Sequence, residues 1–383
     1  MGQLRIGTEM VTPVIVQGGG EPILVTKTIT QNGTYNASSD NADGYSSVTV
    51  DVSGIGIPRE VSANGAYQMP STSFTFSLPS NVTNVSHFAM YDAFYGCTSL
   101  TSVDLSSLTT MSGTGAMKSA FKSCSKLTSV NLSSLTTVSG NEAMSDAFYS
   151  CTKLASIDLS NLTAVSGSQA MRTAFGQCTS LTSVDLSSLT TVSGSEAMHY
   201  VFYISTSLTS VDLSSLTTVS GNEAMSDAFS SCTKLASIDL SNLTTVSGSS
   251  VMSNAFRGCS SLTSVDLSSL TTLSGSSAML YAFYNCRGLT SIDLSSLTTI
   301  SGSGTMNYAF QSCTKLTTLS FPALTSTSFG SYTNQFNSML YGVTGCTVHF
   351  PSNLQSVIGS WSSVTAGFGG TNTTVLFDLP ATT

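Results

Sequence analysis

Phenylalanine stands at positions 94, 121, 148, 175, 202, 229, 256, 283 and 310, every interval being 27 residues. A Met precedes each by four (Met90 to Met306) and a Leu follows each by six (Leu100 to Leu316). Eight of the nine are followed after three residues by a Cys, and Ser205 fills the one gap. A period this regular, with no insertion, demands a stack of repeated units rather than an ordinary globular core. One 27-residue unit buries too little apolar surface to offset fixing its backbone at ~1–2 kcal/mol per residue, so each copy must lean on its neighbours.

Within a unit the apolar spacing changes. In MKSAFKSC, Met117, Ala120, Phe121 and Cys124 recur at i, i+3, i+4 and i+7, which predicts one face of a short helix. LTSVNLSSL then alternates, with Val130 and Leu132 inward and Ser129, Asn131 and Ser133 outward, as a strand requires. Leu135 and Val138 follow, and Ser139-Gly140 supplies a turn. The expected fold is an α/β repeat solenoid whose coils run short helix, parallel strand, turn. Strands side by side at ~4.8 Å would give nine coils a sheet about 43 Å long, with a helical layer on the other side.

The unit AFxxCxxLxxVxLxxL, as in AFKSCSKLTSVNLSSL (120–135), resembles the leucine-rich repeats of the BspA-like class over roughly residues 85–325. The resemblance implies a leucine-rich-repeat solenoid at 90–325. VFYIS (201–205) departs from it by losing both the Ala and the Cys, which marks that coil for altered packing. Residues 54–89, with FTFSLPSNVTNVSHF, read as an N-terminal cap, and 326–383 as a C-terminal cap containing a strand, a Ser or Asn helix cap, a short helix, Trp361 and a last strand TVLFDLP. Residues 1–53 read as a small β module with strand-like TKTITQNGTY and SSVTVDV and a turn at Asn32-Gly33. This segment is similar to amino-terminal segments of tail-associated proteins of phages infecting gut Firmicutes. That similarity implies attachment to virion tail proteins, assembly in the host cytoplasm, and trimers by analogy with tail fibres.

Composition narrows the function classes. Charged residues make up 8% of the chain, against roughly 25% in a typical soluble protein, so Ser and Thr must cover the exterior. The net charge is −8 and no basic cluster exists, which argues against nucleic acid as a partner. No run approaches the ~18 apolar residues a membrane span needs, and the start lacks the pattern of a secretory signal. Neither zinc spacing such as CxxC nor a cofactor motif is visible, and the Cys and Met columns read as buried core with reduced thiols. His87, His199 and His349 fall in the first cap, a middle coil and the last cap, too far apart to share a catalytic site, so no catalytic residue is assigned.

Variation between coils collects at the four x positions of MxxAFxxC, predicted to point to water. Tyr91, Tyr95, Tyr149, Tyr200, Tyr203, Tyr281, Tyr284 and Tyr308 occupy them, with Arg172, His199 and Arg257. Tyr offers large contact area for little lost entropy, so these eleven residues form the candidate ligand-binding face. The competing reading is drift after duplication: residues 141–167 and 222–248 differ at two of 27 positions, one of them Tyr149 against Ser230. A second feature is the column Asp104, Asn131, Asp158, Asp185, Asp212, Asp239, Asp266 and Asp293. Carboxylates ~4.8 Å apart repel by about 0.9 kcal/mol even in water, so hydrogen bonds from flanking Ser and Thr, with raised pKa values, or bound Ca²⁺ must offset them. The expected function is non-enzymatic: a phage tail or receptor-binding component recognising a bacterial surface glycan or protein. The alternatives are a bacterial cell-surface or secreted BspA-like adhesin and an ice- or mineral-binding solenoid.

Overall fold

Val130 and Leu132 turn inward and their Ser and Asn neighbours outward, and the coils built on this alternation stack in register. The computed structural model describes residues 84, 85, 87, 90–325, 327–329 and 334–381, together with the backbone of the strands Leu4–Ile6, Glu9–Val11, Leu24–Ile29, Ser47–Val52 and Phe74–Ser77. Each coil contributes a strand such as Ser183–Asp185, exposed, buried, exposed along its three residues. Ser183 lies opposite Ser210, Val184 opposite Val211 and Asp185 opposite Asp212, and the same parallel register carries on to Ser291–Asp293. The protein is a parallel-strand solenoid of leucine-rich-repeat type with 27-residue coils. The strands Phe74–Ser77, Ser47–Val52 and Leu24–Ile29 continue this sheet, all in parallel, while the turn at Asn32-Gly33 lies outside the described residues.

Two local expectations change. The stretch after Leu135 is a second short strand, Thr137–Val138, and its equivalents from Thr110–Met111 to Thr299–Ser301 form an eight-stranded parallel sheet of their own. The predicted helix is a ribbon of turns. Lys118, Ala120, Lys122 and Cys124 donate their N–H groups three residues back, to Gly115, Met117, Ser119 and Phe121. Met117, Ser119, Phe121 and Ser123 donate instead to Ala143, Ser145, Ala147 and Tyr149 of the next coil, at 2.7–2.8 Å. An α-helix would keep all these bonds within itself. Every fourth residue of the ribbon, here Gly115, Ser119 and Ser123, has φ between 53° and 62°, which ends any right-handed run. Over two turns a period of four and one of 3.6 bury the same Met, Ala, Phe and Cys, so spacing alone could not separate them. The α-helical segments among the described residues are Gln355–Ile358 and Ser362–Thr365 near the C-terminus.

Three ladders hold the coils together. The Phe rings from Phe94 to Phe310 stack face to face at 5.2–5.7 Å between centroids. From Phe121 onward each is fully buried, contributing about 1.5–3 kcal/mol. The cysteines are buried free thiols, as expected. Each from Cys124 to Cys313 donates to the carbonyl of a Phe thirty residues earlier, as Cys151 does to Phe121 at 3.1 Å. Ser205 makes the same bond to Phe175 through its hydroxyl, also at 3.1 Å, which explains why the column tolerates it. Thr hydroxyls complete the set, Thr163 to Thr136 and Thr190 to Thr163 at 2.9–3.0 Å. The coil bearing Val201 does pack differently: Phe202 is tilted 14° and 16° to its neighbours, where the other rings of the ladder lie within 8°.

The final turns form a three-stranded parallel sheet of Thr318–Ser320, Thr347–Pro351 and Thr374–Leu379. Phe321 stacks on Phe350 at 5.3 Å, and Trp361 meets Phe329 edge-on at 5.1 Å. The expected Ser or Asn helix cap is absent here. Pro351, Leu354 and Trp361 hold the cap positions, with no side-chain cap bond.

Candidate functional site

The ribbon of turns is the face on which the candidate residues lie. Its first, second, fifth and sixth positions after each Met do not all point to water. Tyr95 is 54% exposed and Tyr91 36%, but Tyr149, Tyr200, Tyr203, Tyr281, Tyr284 and Tyr308 are half-buried, and His199 is buried with 8% exposure. Tyr200, Tyr281 and Tyr308 stand at left-handed positions of the ribbon, and the Tyr281 ring is covered by its equivalent in the next coil, Tyr308.

That geometry gathers the residues into clusters. Around His199, the imidazole stacks on Tyr200 at 4.1 Å and Tyr200 meets Tyr203 edge-on at 5.1 Å. His199 Nδ1 faces Glu196 Oε2 at 3.3 Å and Glu223 Oε2 at 3.8 Å, while Arg172 Nε approaches the same Glu196 oxygen at 3.4 Å. Further along, Tyr281 stacks on Tyr308 at 4.8 Å and meets Tyr284 at 85°, with the Arg257 guanidinium 5.2 Å from the Tyr284 ring. Asp227 and Asn254 lie between, the Asn254 amide donating to Asp227 Oδ2 at 3.5 Å. From Arg172 to Tyr308 is five coils, or about 25 Å. Tyr149 lies apart, under Lys122 at 5.0 Å, its ring against Gly176 where a Cβ would come within 3.1 Å. Tyr91 and Tyr95 sit at the N-terminal end of the ribbon, two coils before Tyr149.

The electrostatics follow burial. Burial pushes the Asp227 carboxyl above the usual carboxylate range, although His199, a Ser226 hydrogen bond and Arg257 pull it back. Tyr200 is raised by burial and then by Asp227, and Tyr281 by burial and then by Tyr308 and Tyr284. Glu196, Glu223 and Asp227 stand beside these residues, Asp227 itself at a variable position, the second after Met225. The two glutamates stand two residues before each Met, one turn outside the variable positions, and only their column in the stack brings them to His199.

The Asp column lies exposed along the sheet's outer surface, where Asp185, Asp212, Asp239 and Asp266 line a depression together with Ser183, Ser210, Ser237 and Ser264. The backbone N–H two residues on caps each carboxylate, as Ser187 does Asp185 at 2.9 Å and Ser241 does Asp239 at 2.9 Å. The expectation of raised pKa values is reversed where a shift is seen. Hydrogen bonds from the Ser160 and Ser268 side chains, then from their N–H groups, hold Asp158 and Asp266 below the ordinary value. Local turns thus stabilise the charged form against its neighbours.

The other histidines are bound up elsewhere, His87 Nδ1 accepting from the Thr114 N–H at 2.8 Å and His349 facing Asp378 at 2.9 Å. Among the described residues no helix is long and apolar enough to cross a membrane.

Known proteins place this repeat. Residues 60–195, 145–254 and 226–357 match the family described as BspA type leucine rich repeat region. No curated protein matches the chain. Among solved structures it is similar to a leucine-rich repeat protein from Bacteroides ovatus ATCC 8483, at 17% identity over 98% of this chain and 99% of that one, with a TM-score of 0.25. A leucine rich cell surface protein from Faecalibacterium prausnitzii A2-165 is similar at 17% identity over 75% of this chain and 96% of that one, with a TM-score of 0.18. The TLR13–ssRNA13 complex is similar at 14% identity over 87% of this chain, with a TM-score of 0.29, and the chain spans 53% of that protein's length. With its family matches running from residue 60 to residue 357, this chain belongs to the BspA-type leucine-rich repeat family.

Proposed function

We propose that the chain is a non-enzymatic binding protein that recognises a bacterial surface glycan or protein through the ribbon face. The observation that carries this reading is the gathering of Tyr200, Tyr203, Tyr281, Tyr284 and Tyr308 into two ring clusters flanked by Arg172 and Arg257. Half-buried rings held by their neighbours are pre-organised, so a ligand laid across them orders little that is not already ordered. Aromatic faces beside guanidinium groups suit the apolar faces and polar rims of sugar rings, or a protein loop. The amino-terminal segment's likeness to phage tail-associated proteins supports a place on a virion tail.

Replacing Tyr200, Tyr203, Tyr281 and Tyr284 together with Ser tests the face. Binding of the labelled protein to Firmicutes cells should fall at least tenfold while the circular-dichroism spectrum is kept. Undiminished binding would rule out the ribbon as the contact surface. Antibody labelling of purified phage particles tests the location, and labelling of bacterial envelopes instead would assign the chain to a cell-surface adhesin.

A further inference from the structure

We propose that Glu196, His199 and Glu223 form a site for one borderline divalent cation of the zinc type, independent of any surface ligand. One ligand atom from each residue lies within 4.8 Å of the other two. Two ligands bonded to one tetrahedral zinc at 2.0–2.1 Å are about 3.4 Å apart. His199 Nδ1 and Glu196 Oε2 stand at 3.3 Å, and Glu223 Oε2 is 3.8 Å from the same nitrogen. Closing the second gap takes a movement of a few tenths of an ångström by a glutamate side chain that is 48% exposed and pairs with nothing else among the described residues.

The imidazole is held in advance. His199 is 8% exposed, and its ring is fixed against Tyr200 at 4.1 Å with Nδ1 turned to both carboxylates. A buried nitrogen aimed at two acids is a preformed ligand, and two carboxylates with a neutral imidazole balance a divalent charge. Because Glu223 lies toward solvent, a fourth position stays open for water. The competitor is Arg172, whose Nε reaches Glu196 Oε2 at 3.4 Å from a side chain that is 40% exposed. It can swing away, while Gln169 keeps hold of the other Glu196 oxygen at 3.2 Å.

The repeat supplies internal controls. The column of Glu142, Gln169, Glu196, Glu223, Ser250 and Ser277 contains a single adjacent pair of acids. The column of His199 otherwise holds Lys118, Ser145, Arg172, Ser226 and Ser253 around it. One coil boundary therefore assembles the set, and one ion per chain is expected. The residues that replace these ligands in the next coil are Ser226 and Ser250, so His199→Ser and Glu223→Ser are side chains the coil already accommodates.

The test is equilibrium dialysis of the full-length folded chain, stripped with chelator, against Zn²⁺, with Co²⁺ absorption as the reporter of ligand type. The expected result is one zinc per chain, an affinity at least about tenfold weaker in His199→Ser and in Glu223→Ser, and no change in His349→Ala. Tetrahedral cobalt bands without the intense near-ultraviolet absorption of thiolate ligation should accompany binding. No stoichiometric zinc on the folded wild type, binding that survives His199→Ser, or a thiolate spectrum would each overturn the proposal. Each variant's circular dichroism and Phe-ladder packing, read as protection of the buried thiols, separate loss of ligand from loss of fold.

Discussion

The corner glycines of the coil allow the stack to close, and Gly167→Ala measures how much depends on them. A Cβ at residue 167 would lie 2.3 Å from the Gly140 carbonyl oxygen and 2.6 Å from that of Ser139, both backbone atoms of the preceding coil. Restoring an ordinary 3.4 Å contact means parting the two coils by about 1 Å at this corner, where strands stand only ~4.8 Å apart. Two bonds flank the position: Ser166 N–H to Val138 O at 3.0 Å and Glu142 N–H to Ser168 O at 2.8 Å. An opening of that size weakens both, each contributing about 0.5–1.5 kcal/mol, and overpacking alone costs about 1–3 kcal/mol. The expected loss is about 2–4 kcal/mol. Gly258→Ala is the comparison, because Gly258 has φ +72° yet nothing nearer than 3.7 Å to its would-be Cβ. There only the left-handed strain of about 1–2 kcal/mol applies. Solenoids unfold by segments, so the assay is native-state hydrogen exchange at amides 163–170 and 255–262 rather than a single melting curve. If Gly258→Ala proves the more damaging, or Gly167→Ala costs under 1 kcal/mol, the close approach of backbones is not what requires glycine at this corner.

Other consequences follow from single residues. Ile204 is a β-branched residue at φ 56°, where other coils carry Ser, Gly, Asn or Gln, so Ile204→Asn should raise stability by about 1 kcal/mol in urea melts. Burial pushes the thiols of Cys151, Cys232 and Cys313 up to about 12. They should resist iodoacetamide at pH 8 in the native state and react once denatured, as mass spectrometry would show. Asp227 has a raised folded pKa, so the stability it lends is complete below its unfolded pKa near 3.8 and lost as pH climbs through the folded value. Asp227→Asn should therefore flatten the decline of melting temperature above pH 4. The lowered groups Asp158 and Asp266 act oppositely, and their contribution, present above pH ~4, should disappear on acidification.

The stack itself was legible because its signals are columns. A Phe every 27 residues and an alternation at Val130 and Leu132 each specify one inward direction, and the strands and core follow. The ribbon was not legible, since Met117, Ala120, Phe121 and Cys124 satisfy a four-residue turn period and a helix alike. What distinguishes them is where Met117 and Phe121 send their N–H groups, a bond between coils that leaves no mark in side-chain spacing. The second strand, Thr137–Val138, is two residues long, below what alternation can reveal.

The candidate face shows a subtler limit. Variation between coils does not by itself mark a water-facing position, since Tyr200 varies yet is half-buried and His199 varies yet is buried. The Thr column has its own reason for constancy: Thr136 donates its hydroxyl to the Thr109 carbonyl at 2.8 Å, and the bond repeats up the stack. Constancy there is structural, so it cannot measure drift on the ribbon. Neighbours in different coils mark the ribbon more sharply than variation does. Glu196, His199 and Glu223 are unremarkable in their own turns, and so are Arg257 and Tyr284. They meet because residue n of one coil stands beside residue n+27 of the next. Reading the sequence as columns of 27, rather than as a line, puts Glu196 beside Glu223 with His199 three residues on, and that arrangement is the signal a linear motif search has no means to register.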